Sequence, residues 1–324
     1  MLQDRFGRTI EYVRLSVTDR CDLRCSYCLP KGFKGFEEPA HWLTFDETER
    51  LMRVFVALGT RRVRLTGGEP LLRRGVAELA SRLKRIDGLA DLSLSTNATQ
   101  LARHAVALKA AGVDRINVSL DSLRRDCVTE LTGRDSLPAI LEGLMAAKAA
   151  GLAPIKLNMV ALAGVNEAEI EDMVAFAMQH GFILRLIEAM PVGDTGREAS
   201  YLDLQPVLAR LTGRFGLQPQ AVELGGGPAR YWATADGCFT LGLITPISQH
   251  FCATCNRVRL SVDGTLYLCL GQDEKLELRP LLRGGASDAE LAAAIRSAIE
   301  LKPERHEFRE QSRKIMRFMS MTGG

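Results

Sequence analysis

Cys21-Asp-Leu-Arg-Cys25-Ser-Tyr-Cys28 stands directly after an alternating, β-rich run, Tyr12–Val17. Three thiols at C-x3-C-x2-C spacing on a loop can hold three irons of a cubane [4Fe–4S] cluster as thiolates. The fourth iron then has no protein ligand and is open to a small molecule, much as an open coordination position makes a zinc site reactive. The alternative is a zinc site or a buried cysteine trio. Zinc sites usually pair C-x2-C knuckles with a fourth ligand, and none lies close by in sequence.

Outside this loop the chain reads as an ordinary globular protein. It has 324 residues, 46% hydrophobic and 25% charged, with 42 Lys+Arg against 39 Asp+Glu and a net charge of +3. That excludes disorder and argues against a nucleic-acid-coating surface, and the length suggests roughly two domains. The N-terminus carries Asp4, Arg5 and Arg8 without an apolar core, so no secretory signal is expected. The longest charge-free stretch, Gly237 to Asn256, is too polar for a membrane span. Of eight cysteines, six form two tight groups, Cys21, Cys25, Cys28 and Cys252, Cys255, Cys269. Clustered thiols in a large chain without a signal point to a metal and a reducing cytoplasm rather than a disulfide framework. Cys127 and Cys238 belong to neither group and read as buried small hydrophobes.

From residue 11 to 190, strand-like runs alternate with amphipathic helical runs. The strands are expected at Tyr12–Val17, Arg62–Leu65, Asp91–Ser95, Arg115–Leu120, Ile155–Ala161 and Ile183–Ile187. One helix begins at the capping box Thr44-Phe-Asp-Glu47 and another at Asn166-Glu-Ala-Glu169, and Gly112 and Gly151 end two more. Six strand–helix repeats predict parallel βαβ units, α/β in class, either an open doubly wound sheet or an incomplete barrel. After Met190 the rhythm breaks. A helix over Asp203–Thr212, strands at Arg230–Thr234, Phe239–Ile244, Arg257–Val262 and Leu266–Leu270, and a helix over Asp288–Leu301 predict a smaller α+β region. The expected division is 1–190 and 191–324.

Gly67-Gly68-Glu69-Pro70 follows the second strand, where glycines let backbone approach a ligand closely. There is no G-x-G-x-x-G or G-x4-G-K-[ST], so neither a Rossmann nor a P-loop nucleotide site is supported. The second cysteine group, C-x2-C-x13-C, fits either a zinc site completed by His250 or a second cubane with an open iron. Arg257 and Arg259 flank Val258 on a strand, so both guanidiniums leave one face, an arrangement suited to a polyanion such as a triphosphate.

The spacing Cys21–Cys25–Cys28, with Tyr27 before the last cysteine and Gly-Gly-Glu-Pro behind it, resembles the radical S-adenosylmethionine (radical SAM) enzymes. Within them, Cys255-Asn-Arg-Val-Arg-Leu260, Gly264, Cys269-Leu270, Arg14-Leu-Ser-Val-Thr-Asp-Arg-Cys21, Arg64-Leu-Thr-Gly-Gly-Glu-Pro-Leu71 and the Gly323-Gly324 end are similar to the GTP 3′,8-cyclase family of molybdenum cofactor biosynthesis. The resemblance covers essentially the whole chain. It implies an incomplete (β/α)6 radical SAM barrel with a smaller C-terminal α+β region. It also implies two [4Fe–4S] clusters and S-adenosylmethionine as cofactors, and GTP as substrate. A low-potential flavodoxin- or ferredoxin-type donor and a cyclic pyranopterin monophosphate synthase downstream would be partners, with a homodimer possible and no nucleic acid or membrane.

Residue by residue, the resemblance places Cys21, Cys25 and Cys28 on the first cluster and Cys252, Cys255 and Cys269 on the second. Tyr27, Gly68, Ser119 and Met190 would line the S-adenosylmethionine site. Arg14, Arg64, Thr96, Lys156, Arg185, Arg257, Val258 and Arg259 would contact GTP. Arg14 and the tail glycines Gly323 and Gly324 would be catalytic, the tail being carried behind a basic stripe of Arg305, Arg309, Arg313 and Arg317. Two rivals are a peptide-modifying maturase with twin clusters and a non-catalytic iron–sulfur or zinc protein.

Overall fold

The structure, a computed structural model, describes residues 1–28, 39–222, 224–308, 310 and 319–323. Arg309, Arg313, Arg317 and Gly324 lie outside the described residues. Six parallel strands follow the expected rhythm: β1 (Tyr12–Ser16), β2 (Arg62–Thr66), β3 (Asp91–Thr96), β4 (Arg115–Ser119), β5 (Ile155–Ala161) and β6 (Ile183–Glu188). The helices between them are α1 (Phe45–Ala57), α2 (Val76–Lys84), α3 (Leu101–Ala110), α4 (Arg125–Thr132), α5 (Leu137–Ala149) and α6 (Ile170–His180). The capping box forms at α1, with Thr44 and Glu47 each accepting from the other's backbone amide. At α6 the start differs from the expectation. Residues Glu167–Glu169 make a 3-10 turn, and Asn166 caps nothing. Its side chain instead binds the carbonyls of Asp121 and Val160 and the Leu162 amide, all at 2.8–2.9 Å.

The C-terminal segment adds helices α7 (Gly193–Glu198), α8 (Leu204–Phe215), α9 (Leu278–Arg283), α10 (Asp288–Glu300) and α11 (Met319–Thr322). Its strands are β7 (Gln218–Gln220), β8 (Arg230–Ala233), β9 (Thr240–Ile244), β10 (Arg257–Leu260), β11 (Thr265–Tyr267) and β12 (Lys275–Glu277). They extend the barrel sheet at both edges, in the order β12-β11-β10-β1-β2-β3-β4-β5-β6-β9-β8-β7. β10 runs parallel to β1 and β9 parallel to β6. The outer pairs are antiparallel. The segments 1–190 and 191–324 thus share one sheet.

Successive side chains in a strand point to opposite faces. Val13 and Leu15, Val63 and Leu65, Leu92 and Leu94, Ile116 and Val118, Leu157 and Met159, and Leu184 and Leu186 are buried in the main core. The helices cover that face. The opposite, inner face is written in the intervening positions and is polar: Arg14, Arg64, Ser93, Asn117, Lys156 and Arg185. The fold therefore packs its helices on apolar residues and lines its interior with hydrogen-bonding and charged ones. Among the described residues no helix is long and apolar enough to cross a membrane.

Cys127 is buried, as its composition suggested, but Cys238 is exposed, which corrects the sequence reading. Cys238 sits in the tight turn between β8 and β9, its amide held by Asp236 Oδ1 at 3.0 Å, and so cannot reach the core.

Candidate active site

A cavity of about 160 Å³, open at its mouth, lies inside the curved sheet. Arg14, Arg64, Arg185, Arg257 and Arg259 line it together with Lys302, and no Asp or Glu is among its described lining residues. The register explains the arginines. Arg259, Arg14 and Arg64 are direct partners across β10, β1 and β2, so three guanidiniums leave one face at one level of adjacent parallel strands. Like charges directly opposite one another destabilise a sheet. Burial, then Arg259 and Arg64, hold the Arg14 pKa well below its ordinary value. Burial, then Arg64, bring Arg185 down to about 10. Arg14 Nε is buried without a hydrogen-bond partner among the described residues. Arg185 is braced by Asn158 Oδ1 at 2.8 Å and Asn117 Oδ1 at 2.5 Å, so its direction is fixed. The concentration of positive charge, with an unspent donor, is built for a multiply charged anion.

Cys252, Cys255 and Cys269 line the same cavity. Burial alone would raise the Cys255 thiol, but Arg257, Lys302 and the Arg257 amide outweigh it and bring it to about 7. Burial raises Cys269 and Cys252, partly offset by Lys302 at the former and by the His306 amide at the latter. Three thiols in a cationic pocket are a donor set for iron. His250, the proposed fourth ligand of a zinc site, is not among the cavity's lining residues. Among the described residues no three His, Cys, Asp or Glu side chains converge on a single ion, at either cysteine group.

The first cysteine loop lies beyond the C-terminal end of β1. Burial, and then Glu69, raise Cys21 to about 12, and burial raises Cys28 to about 12 and Cys25 well above its ordinary value, with Cys28 disfavouring the charge of both Cys21 and Cys25. The loop is locked onto Gly67-Gly68-Glu69. The Gly68 amide donates to Thr18 O at 2.9 Å and the Glu69 amide to Arg20 O at 2.7 Å. A Cβ on Gly68 would lie 2.2 Å from Arg20 O, so only glycine permits this approach. Glu69 is fully buried and accepts from Thr96 Oγ1 (2.7 Å), the Asn97 amide (2.6 Å) and the Leu71 amide (3.0 Å). Burial nonetheless pushes its pKa up to about 7. Tyr27 donates its hydroxyl to Asp121 Oδ2 at 2.6 Å, which fixes the ring beside a smaller cavity lined by Cys25, Asn97, Ser119 and Asp121.

The tail joins the two halves. Arg259 Nη1 donates to Thr322 O at 3.1 Å and also to Gly323 O. The Ser320 amide favours the Cys28 thiolate, against the burial that raises its pKa. Gly323 is pressed on Thr66 at the end of β2, where a Cβ would lie 2.2 Å from Thr66 Cγ2, and its φ is +75°. Of the residues singled out from sequence, Arg14, Arg64, Arg185, Arg257, Val258, Arg259 and Met190 share the large cavity, whereas Tyr27 and Ser119 share the small one. Thr96 and Lys156 are not in the large cavity's lining: Thr96 is spent on Glu69, and Lys156 Nζ donates to Leu224 O at 2.6 Å. Lys302, Asn158 and Phe251 were not singled out. Asn158 could have been, since it follows Lys156 at the period of 2 that lines the inner face; Lys302 stands in no motif.

Two family models match the chain: the radical SAM superfamily over residues 15–177 and molybdenum cofactor synthesis C over residues 182–308. Among solved structures, Streptococcus suis SuiB bound to S-adenosylmethionine shares the fold at a TM-score of 0.64 and 15% identity, over 90% of this chain and 68% of that one. Among curated proteins, the GTP 3′,8-cyclases of Erythrobacter litoralis, Paracoccus denitrificans and Ectopseudomonas mendocina are 47%, 46% and 44% identical. Each alignment covers all of this chain and 96–98% of the relative. Similarity at that level over the full length, on a barrel whose interior carries both thiol groups, makes this chain a member of the GTP 3′,8-cyclase family within the radical SAM superfamily.

Proposed function

We propose that the chain is a radical SAM GTP 3′,8-cyclase acting in molybdenum cofactor biosynthesis. The observation that carries this is the row Arg259–Arg14–Arg64, set across three strands beside Cys252, Cys255 and Cys269 and free of lining carboxylates. A nucleoside triphosphate has the charge that this row lacks. Cys21, Cys25 and Cys28 would hold a [4Fe–4S] cluster that, with S-adenosylmethionine, would supply the radical chemistry for joining C3′ of GTP to guanine C8.

The chain's own residues bind, orient and exclude water. Arg14, Arg64, Arg257 and Arg259 neutralise the triphosphate, and Arg185 adds a donor whose direction is set by Asn117 and Asn158. Gly68, Glu69, Tyr27 and Ser119 form the S-adenosylmethionine side, with Met190 on the wall of the large cavity towards it. Thr96 acts through Glu69 and Lys156 through the 224 loop. Cys252, Cys255 and Cys269 would hold a second [4Fe–4S] cluster, which would serve to bind the guanine; their place in the arginine-lined cavity supports that reading. Gly323 and Gly324 complete the site from the tail.

The family's chemistry calls for a low-potential electron donor and for a downstream cyclic pyranopterin monophosphate synthase, and for a reducing, cytoplasmic setting. Anaerobic reconstitution followed by an assay for 5′-deoxyadenosine tests the proposal. Formation that depends on GTP, with deuterium arriving from the 3′ position, is expected. Turnover on a peptide instead, or no 5′-deoxyadenosine at all, would refute it.

A further inference from the structure

Lys302 follows α10 and is 1% exposed. Its Nζ donates to Arg257 O at 3.1 Å and to Leu268 O. Those carbonyls lie two residues after Cys255 and one before Cys269, so a single ammonium ties together the two segments that carry these thiols. Lys302 also lines the cavity they share.

The lysine forms no ion pair among the described residues. The contrast is Arg8, which reaches Cys252 O at 2.9 Å and Pro303 O at 2.7 Å. Arg8 is buried too, but it is paired with buried Asp4 at 2.6 Å. A buried ammonium that meets only neutral carbonyls is costly unless an anion joins it. No described residue of the cavity wall supplies that anion, and three thiolates around iron would.

We propose that Lys302 is the resident counter-charge of the second thiol group, a positioning residue that holds Cys255 and Cys269 in place and raises the reduction potential of the cluster they ligate. This rests on the second-cluster reading above. A cubane with three thiolates is negatively charged and becomes more so on gaining an electron. A fixed cation therefore favours the reduced form, and removing it lowers the midpoint potential.

The test uses full-length Cys21→Ser protein, in which the second thiol group is the one able to hold a cubane, reconstituted anaerobically with iron and sulfide. Iron content and the midpoint potential by EPR-monitored titration are compared for Lys302, Lys302→Gln and Lys302→Arg, together with GTP affinity. Glutamine keeps hydrogen-bond donors without charge; arginine keeps both. The expected result is about four irons per chain in all three. The glutamine variant should shift its reduced-to-oxidised ratio at least tenfold, about 59 mV for one electron, towards the oxidised form, and arginine should restore it. An iron-loaded glutamine variant with the wild-type potential would overturn the proposal, even if GTP binding fell, since Lys302 would then serve phosphate. If glutamine loses the iron, retention at the wild-type potential in arginine supports the proposal and loss in arginine overturns it. If Lys302 protein itself takes up no cubane, the second-cluster reading fails and this inference falls with it.

Discussion

Gly68→Ala is the sharpest probe of how the cysteine loop is held. The new Cβ would stand 2.2 Å from Arg20 O and 2.5 Å from Arg20 C, where relaxed non-bonded contacts exceed 3 Å. Both are backbone atoms, so no rotamer relieves the clash. Separating them takes about 1 Å of main-chain movement. That movement breaks or weakens two backbone hydrogen bonds, Gly68 to Thr18 and Glu69 to Arg20. At roughly 1 kcal/mol each, with about 1–3 kcal/mol of packing strain, the loss is about 3–5 kcal/mol. In a chain of this size that lowers Tm by on the order of 5–10 °C. Because Arg20 precedes Cys21, the first cluster's iron and S-adenosylmethionine affinity should fall too. Calorimetry of the metal-free protein, followed by iron analysis and ligand titration after reconstitution, measures each part. Gly213→Ala is the control. It sits exposed within α8 with open space around it, so the same substitution should stabilise by about 0.5–1 kcal/mol. A Gly68→Ala protein that melts with the wild type and binds S-adenosylmethionine normally would refute the reasoning.

Cys252→Ala should lose about four irons of eight and keep the rest; stoichiometric zinc at the second site after anaerobic purification would contradict the twin-cluster reading. Arg259→Ala should weaken GTP binding by about 1.5–3 kcal/mol, as for a lost charge-assisted contact, and guanosine binding much less; calorimetric titration that shows equal losses would mean the arginine does not read the triphosphate. Deleting Gly323 and Gly324 should leave both ligands bound while deuterium at the GTP 3′ position no longer reaches 5′-deoxyadenosine, and transfer at the wild-type rate would reduce the tail to a terminus. For pH, burial, then Arg185 and Arg115, bring Lys156 down from 10.5 to about 6. The unfolded chain therefore binds more protons between those values, and stability of the metal-free protein should rise with pH there, by at most about 1.4 kcal/mol per unit. Below pH 7 the raised Glu69 acts oppositely, so urea denaturation of wild type and Lys156→Met between pH 7.5 and 9 is the comparison: the variant should lose slope, and an unchanged slope would mean that Lys156 is charged in the fold.

The six parallel strands were legible because period-2 apolar positions, glycine stops and a capping box all spoke for the same units. The order in which later strands join was not. β9 and β10 each read as a short strand, but nothing local to them says that one pairs with β6 and the other with β1, since parallel partners are chosen by packing across long separations. The thiols and the Gly-Gly-Glu-Pro stretch were legible because their spacing is chemistry in itself. The row of arginines was only half so. Arg257 and Arg259 could be placed on one face, whereas their alignment with Arg14 and Arg64 is a matter of register. Lys302 was invisible for the same reason: its role comes from two carbonyls on other strands. Asn166 shows the converse, a residue with a helix-starting pattern recruited by tertiary structure to brace a loop.

One of the two strands beside β1, β10, is made late, and that has a consequence for biosynthesis. A nascent chain emerging from the ribosome can pair β1 with β2 early, but the other edge of β1 stays bare until residues 257–260 have been synthesised. The free edge of β6 waits in the same way for residues 241–244. Unpaired apolar edges of this kind are where folding intermediates associate, so slow or interrupted translation between 190 and 257 should favour aggregation, and chaperones should engage the chain there. The proposed nucleotide site cannot exist before that point, because its arginine row spans β10, β1 and β2. A prematurely terminated chain thus lacks both the arginine row and the second thiol group, while the first, Cys21, Cys25 and Cys28, is already made.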